Sequence, residues 1–110
     1  MANINGIVRF DQTSTVGTDM YALQYILDDE AVDKIEKLEK WEHASVDLTN
    51  IKNDLEKSGI KTYNFKWDKE FIIFESSERL RGLENVVDSK FKKQMDERLI
   101  GKEYKVKITY

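Results

Sequence analysis

Hydrophobic and polar positions alternate most clearly between Lys61 and Glu75, where Tyr63, Phe65 and Trp67 interleave with Thr62, Asn64 and Lys66. A period of two is that of a strand with one buried and one wet face. The polar triplet Asp68-Lys69-Glu70 follows, and then Phe71-Ile72-Ile73-Phe74, apolar on both parities. The stretch predicts a β-hairpin, its half-polar first arm at a sheet edge and its second arm inside the sheet or covered on both faces. A second alternation, Tyr104, Val106, Ile108 and Tyr110 against Lys105, Lys107 and Thr109, predicts a half-buried strand at the C-terminus.

Near the N-terminus, Ile4, Val8 and Phe10 share one parity and Asn5, Ile7 and Arg9 the other, which predicts a strand over 3–10 with a bulge or kink at Asn5-Gly6. Asp11 to Thr18 is small and polar and reads as a loop. Met20 to Leu27 satisfies both a strand and a helix pattern. Its two tyrosines and the preceding loop favour a strand paired with the first.

Helical spacing takes over at Asp28, an N-cap with Leu27 and Val32 placed as a hydrophobic staple. Ala31, Val32, Ile35 and Leu38 form the buried stripe. Glu30–Lys34, Asp33–Lys37 and Glu36–Lys40 are acid-before-base pairs, each contributing about 0.2–0.5 kcal/mol. A break at His43-Ala44-Ser45 precedes a second helix with Leu48, Ile51 and Leu55 inside. Ser45 or Asp47 is its cap, and Gly59 with Ile60 forms a Schellman ending. Ser76 or Ser77 opens a third helix carrying Leu80, Leu83, Val86, Val87, Phe91, Met95 and Leu99. Gly82 weakens its start and Gly101 ends it.

These elements predict an α+β fold: a mostly antiparallel sheet of four or five strands with helices on one face, in ββααββαβ order. Without the strand over 20–27 and with the first two helices merged, the order is the βαββαβ of ferredoxin-like folds. A chain of 110 residues suits one domain. No apolar run approaches the roughly 18 residues that span a bilayer, and the first residues lack a signal-peptide pattern, so a cytoplasmic protein is expected. The absence of cysteine excludes disulfides, Cys-ligated zinc and thiol catalysis.

Charge is dense but nearly balanced, and its layout is uneven. Residues 1–27 sum to −1, residues 28–59 to −5 and residues 60–110 to +3. Lysine outnumbers arginine fourteen to four, proline is absent, and Ile and Asn are frequent, as AT-rich coding DNA produces. That composition fits a low-GC bacterium or its phages.

Candidate chemistry is sparse. The chain has no phosphate-binding Gly loop, dinucleotide fingerprint, His-Glu-x-x-His or EF-hand pattern. His43 lies near Glu39, Glu42 and Asp47 in sequence, which would suit an oriented general base, but a polar residue at a helix end fits as well. Asp28-Asp29-Glu30 has the charge to attract Mg²⁺ or Ca²⁺, yet acids in a first turn are what any helix favours. No metal or cofactor is expected.

Strand parity places Arg9, Lys66, Lys105 and Lys107 on the face away from the apolar side, where they could follow phosphates. Lys61-Thr62-Tyr63-Asn64-Phe65 resembles the basic and aromatic positions of the RNA-recognition motif. Thr62 and Asn64 stand at its glycine-type positions and Asp68 where its last aromatic belongs. A stacking platform needs aromatics and cations on one face, and here the parities oppose.

The leading expectation is a non-catalytic module that binds another protein, a modulator or inhibitor of phage or mobile-element type, through Asp29, Asp33, Glu36 and Lys40 on the first helix. Nucleic-acid binding through Arg9, Lys66, Lys105 and Lys107 is the alternative, and an enzyme with scattered carboxylates comes third.

Overall fold

In the computed structural model, residues 2–16, 20–58, 60, 62, 64–76, 93 and 96–110 are described, without the side chains of 15, 16 and 20. Strand β1 runs Asn3–Val16, β2 Met20–Leu27, helix α1 Asp29–Glu36, β3 Ser45–Asp47, α2 Thr49–Lys57, β4 Asn64–Asp68, β5 Phe71–Ser76 and β6 Glu103–Thr109. A 3-10 turn, Trp41–His43, lies between α1 and β3, and residues 96–99 form a helical turn before β6. All pairings are antiparallel, in one six-stranded sheet of order β3-β6-β1-β2-β5-β4.

The α+β class and the antiparallel sheet follow the sequence pattern. The strand number and order do not: the sheet has six strands rather than four or five, and neither the ββααββαβ nor the ferredoxin-like order occurs. The extra strand is β3, three residues at the expected break, too short for its own periodicity to show.

β1 is the axis of the sheet. Its first half, Asn3–Arg9, pairs with β6, and its second half, from Val8 to Val16, with β2, so the two partners overlap only at Val8 and Arg9. The segment 11–16, expected as a loop, continues the strand because β2 supplies its ladder. Pairing passes through Gly6 without a shift, and the bulge falls at Asp11 instead. The bulge exchanges the two faces: Ile4, Val8 and Phe10 point into the core before it, Thr13 after it. Gly6 has a different purpose. A Cβ there would lie 2.8 Å from Leu27 Cδ1 and 3.1 Å from Ala31 Cβ, so α1 packs close over the strand only because the side chain is missing.

Asp28 caps α1 as expected, its side chain accepting the Ala31 N–H at 3.2 Å. The helix stops at Glu36, so Glu36 and Lys40 do not share a helical turn, whereas Glu30 and Lys34 meet at 3.7 Å. Asp47 takes the first N–H of α2 and the Thr49 hydroxyl, at 3.0 and 2.6 Å. Ser45 lies in β3 rather than capping α2. The Ile60 N–H reaches Leu55 O at 2.9 Å, the long bond of a Schellman ending, although Gly59 itself lies outside the described residues.

The hairpin β4–β5 turns through Lys69 at φ 51°, and the Trp67 indole N–H holds the turn by donating to Lys69 O at 2.8 Å. β4 is an edge and β5 an inner strand. Ser76 belongs to β5, and the remaining third-helix residues, Ser77, Leu80, Gly82, Leu83, Val86, Val87, Phe91 and Met95, lie outside the described residues. Leu99 is buried, and Gly101 at φ 81° ends that turn as expected.

One core joins the inward parity of the strands to Ala31 and Ile35 of α1, Ile51 and Leu55 of α2, Ile60 and Leu99. Tyr25 sits at its centre, edge-on to Phe10, Phe74 and Tyr104. The opposite face of the sheet carries no described helix. Among the described residues no helix is long and apolar enough to cross a membrane.

Candidate functional site

The face without a helix among the described residues, the helix-free face below, is built by the outward parity of five strands. Cross-strand register places Glu103, Arg9, Ile26, Phe71 and Asp68 in one row from β6 to β4. The next row, away from the Lys69 turn, holds Gln24, Ile73 and Lys66, and on the other side Lys105 stands opposite Ile7. Ile26 and Phe71 are direct neighbours, Ile73 is two residues along from Phe71, and all three are half-buried. Ile7 is 46% exposed. The middle of this face is therefore apolar, and charge sits around it.

All four basic positions read from the sequence lie on this face, but the structure disperses them. Lys66 Nζ is 3.6 Å from Glu75 Oε1, Arg9 stands opposite Glu103, and Lys107 stands opposite Asp47. Directly across the ladder Lys66 and Lys105 face Ile73 and Ile7, and of these two Lys66 reaches an acid diagonally, at Glu75. A continuous basic track would need cations without alternating carboxylates. The aromatics are on the other side: Phe65 pairs with Phe74 and Trp67 with Ile72, both core positions, and Lys52 Nζ lies 4.8 Å over the Phe65 ring. Lys61 and Tyr63, which carry part of the RNA-recognition-motif resemblance, lie outside the described residues.

On α1, Asp29, Asp33 and Glu36 are exposed and recur at i, i+4 and i+7, so they share one outer face. Lys40 is exposed beyond the helix end, at φ −137° in the turn toward Trp41. Trp41 packs edge-on to Trp67 at 5.5 Å, and Lys69 Nζ lies 5.7 Å from the Trp41 ring centre.

A second polar constellation was not foreseen. Between α2 and β6, Asp54 Oδ2 accepts the Tyr104 hydroxyl and Lys102 Nζ, the latter at 3.0 Å. These two bonds, Tyr104 first, hold the Asp54 carboxyl below its ordinary range. Burial, together with the bond to Asp54, pushes the Tyr104 phenol well up. The pair is thus a neutral donor on a fixed anion, a clamp between helix and strand rather than groups poised to exchange a proton near neutrality. The partners are 50 residues apart in sequence, so no local spacing announces them.

The other candidates are occupied or apart. Both Asp28 oxygens accept backbone N–H groups, from Ile7 and Ala31. His43 is exposed, and among the described residues its imidazole makes no hydrogen bond to Glu39, Glu42 or Asp47. Asp47 is held below the ordinary carboxylate range by the hydroxyl and then the backbone N–H of Thr49.

No protein-family model, curated protein or solved structure matches this chain.

The sequence reading missed the apolar centre, although its signal was present. Ile7 and Ile73 are large apolar residues on the parity of Arg9 and Lys66. Apolarity on both parities of β5 agrees with its inner place in the sheet, and its outward parity, Phe71 and Ile73, supplies part of the apolar centre.

Proposed function

We propose that the protein is a non-catalytic protein-binding module, a small modulator or inhibitor of another protein, and that it engages its partner through the helix-free face of the sheet. The observation that carries this reading is the apolar centre formed by Ile7, Ile26, Phe71 and Ile73, ringed by Arg9, Glu103, Lys105 and Lys66. An apolar patch inside a charged rim has the anatomy of a recognition surface: the centre supplies area to bury, and the rim supplies register. A rim of both signs also favours a protein over a polyanion. The outer face of α1, with Asp29, Asp33 and Glu36, supplies charge without that apolar area. The AT-rich composition supports a phage or low-GC bacterial origin.

Affinity capture from a low-GC bacterial lysate with quantitative mass spectrometry tests the reading, using three baits. Wild type and an Asp29→Lys/Asp33→Lys/Glu36→Lys bait are expected to retain the same specific protein, and Ile7→Asp/Ile73→Asp to lose it. Retention by the sheet variant with loss by the helix variant would move the interface to α1. Absence of any specific partner on wild type counts against a protein-binding role.

A further inference from the structure

The ladder on β6 is half finished. β3 pairs only with Lys107–Thr109, whereas β6 begins at Glu103, so on the side away from β1 no described strand lies along Glu103–Lys105. Parity identifies the backbone groups left over. Tyr110 exchanges hydrogen bonds with Ala2, and the Phe10 N–H reaches Lys102 O, so even-numbered residues turn their N–H and C=O groups toward β1. Odd-numbered residues turn theirs outward. Lys107 and Thr109 meet β3 there, while Glu103 and Lys105 face an open edge.

Next to this edge, α2 and β6 frame a groove of about 630 Å³. Asn50, Asn53, Asp54 and Lys57 line it from the helix, Glu103, Tyr104 and Lys105 from the strand, and Lys102 from just before it. Asp54 is already satisfied by Tyr104 and Lys102. The amides of Asn50 and Asn53 also line the groove, as do the Lys57 and Lys105 ammonium groups and the Glu103 carboxylate, which stands opposite Arg9 across the ladder. Asp54 is thus neutralised by Lys102 and Glu103 faces Arg9, which leaves Lys57, Lys105 and two amides for a ligand.

We propose that this edge is a strand-addition site for an extended, acidic segment of a partner protein. Such a strand would complete the bonds of Glu103 and Lys105, continuing the sheet where β3 leaves off. Its side chains would alternate in direction. Those on the Tyr104 parity enter the groove beside Lys57 and the two amides. Those on the Lys105 parity lie on the helix-free face near Lys105 and Lys107, with Glu103 beyond them opposite Arg9. Both directions present cations, so carboxylates suit both. Lysines on an edge also repel another basic edge, which selects against like strands. This surface borders the apolar centre of the sheet face and shares Glu103 and Lys105 with its rim. Its test uses a synthetic peptide rather than a native partner, so the two readings fail independently.

The test is an amide NMR titration of the full ¹⁵N-labelled chain with a capped heptapeptide in which Glu alternates with Val, and with its Lys-for-Glu counterpart. The Glu peptide is expected to shift the amides of Glu103 and Lys105 and to slow their hydrogen exchange at least tenfold. The Lys peptide should do neither. Lys57→Glu should weaken binding about tenfold, and Lys105→Pro, which removes an outward N–H, should abolish it while the Val106 and Ile108 amides stay protected. Equal effects of both peptides, shifts that spare Glu103 and Lys105, or no binding at millimolar Glu peptide would each overturn the proposal. So would a dimer of the free chain in sedimentation with both amides already protected, which would assign the edge to a second copy.

Discussion

Asp28 Oδ1 accepts the backbone N–H of Ile7 at 2.7 Å, while Oδ2 of the same carboxylate caps α1 through the Ala31 N–H. The Asp28 N–H in turn donates to Ile7 O at 3.0 Å. One residue therefore ends the β1–β2 ladder and starts the helix, fixing where α1 leaves the sheet.

Removing that carboxylate takes away a cap, worth about 1 kcal/mol, and orphans a partly solvated N–H on Ile7. Asp28→Ala is expected to destabilise the fold by about 2 kcal/mol, and Asp28→Asn by about half as much, since Asn also caps. Urea unfolding midpoints check this. An Asp28→Ala midpoint equal to wild type would show that neither bond contributes.

Gly6 makes the close approach of α1 possible. Gly6→Ala would press a methyl group against Leu27 and Ala31, both fully buried, at a cost of about 1–3 kcal/mol. Leu27→Ala should relieve part of it, so a double-mutant cycle in urea is expected to show the pair costing less than the sum of the singles. Strict additivity would place the strain elsewhere.

What the sequence made legible was whatever repeats or caps locally. The hairpin around Lys69, the alternation of β6, the Asp28 cap and the Gly101 stop are each carried by a few adjacent residues, and all recur in the structure. The second half of β1 was hidden because it presents Thr13, not an apolar residue, to the core. Its strand state comes from β2, and the Thr13 N–H is taken by Asp96 Oδ1, 83 residues away. β3 was hidden by its length. For the candidate surface, parity placed Arg9, Lys66, Lys105 and Lys107 on one face correctly. Their separation by Glu75, Glu103 and Asp47 is a matter of register between strands, which no single strand encodes.

The Asp54 clamp sets a pH dependence with a definite sign. Its carboxyl is held below the ordinary value in the fold, by Tyr104 and then Lys102. The stabilisation is therefore complete above about pH 4, the ordinary carboxylate value, and fades as pH falls through the depressed native value. Asp54→Asn should cost about 1 kcal/mol at neutral pH, a modest figure because the carboxylate is about a third exposed. Melting temperatures of the two proteins should converge below about pH 4. Curves that stay parallel to pH 2 would show that the Asp54 charge is not what joins α2 to β6.

Tyr25 offers the opposite case. Its hydroxyl is buried without a hydrogen-bond partner among the described residues, and burial pushes its phenol well above the ordinary value. Tyr25→Phe keeps the ring contacts with Phe10, Phe74 and Tyr104 and removes a desolvated hydroxyl. Stability is expected to be unchanged or to rise by up to about 1 kcal/mol, read by thermal unfolding. A loss larger than that would reveal a bond to the hydroxyl.

The last prediction separates protein recognition from nucleic-acid recognition on the same face. A phosphate-tracking surface gives affinity that falls steeply with salt and depends on its cations regardless of base sequence. Here Lys66 is bridged to Glu75, Arg9 and Lys107 stand opposite Glu103 and Asp47, and the ring faces of β4 are turned to the core side. The acidic segment 28–59, at −5, adds repulsion at longer range. No appreciable binding to single- or double-stranded DNA or RNA is therefore expected at physiological salt, measured by mobility shift with mixed-sequence oligonucleotides over a salt series. Lys105→Glu/Lys107→Glu should behave as wild type in that assay. Micromolar binding that disappears in this charge reversal would make the helix-free face a phosphate-binding surface and displace the protein-binding proposal.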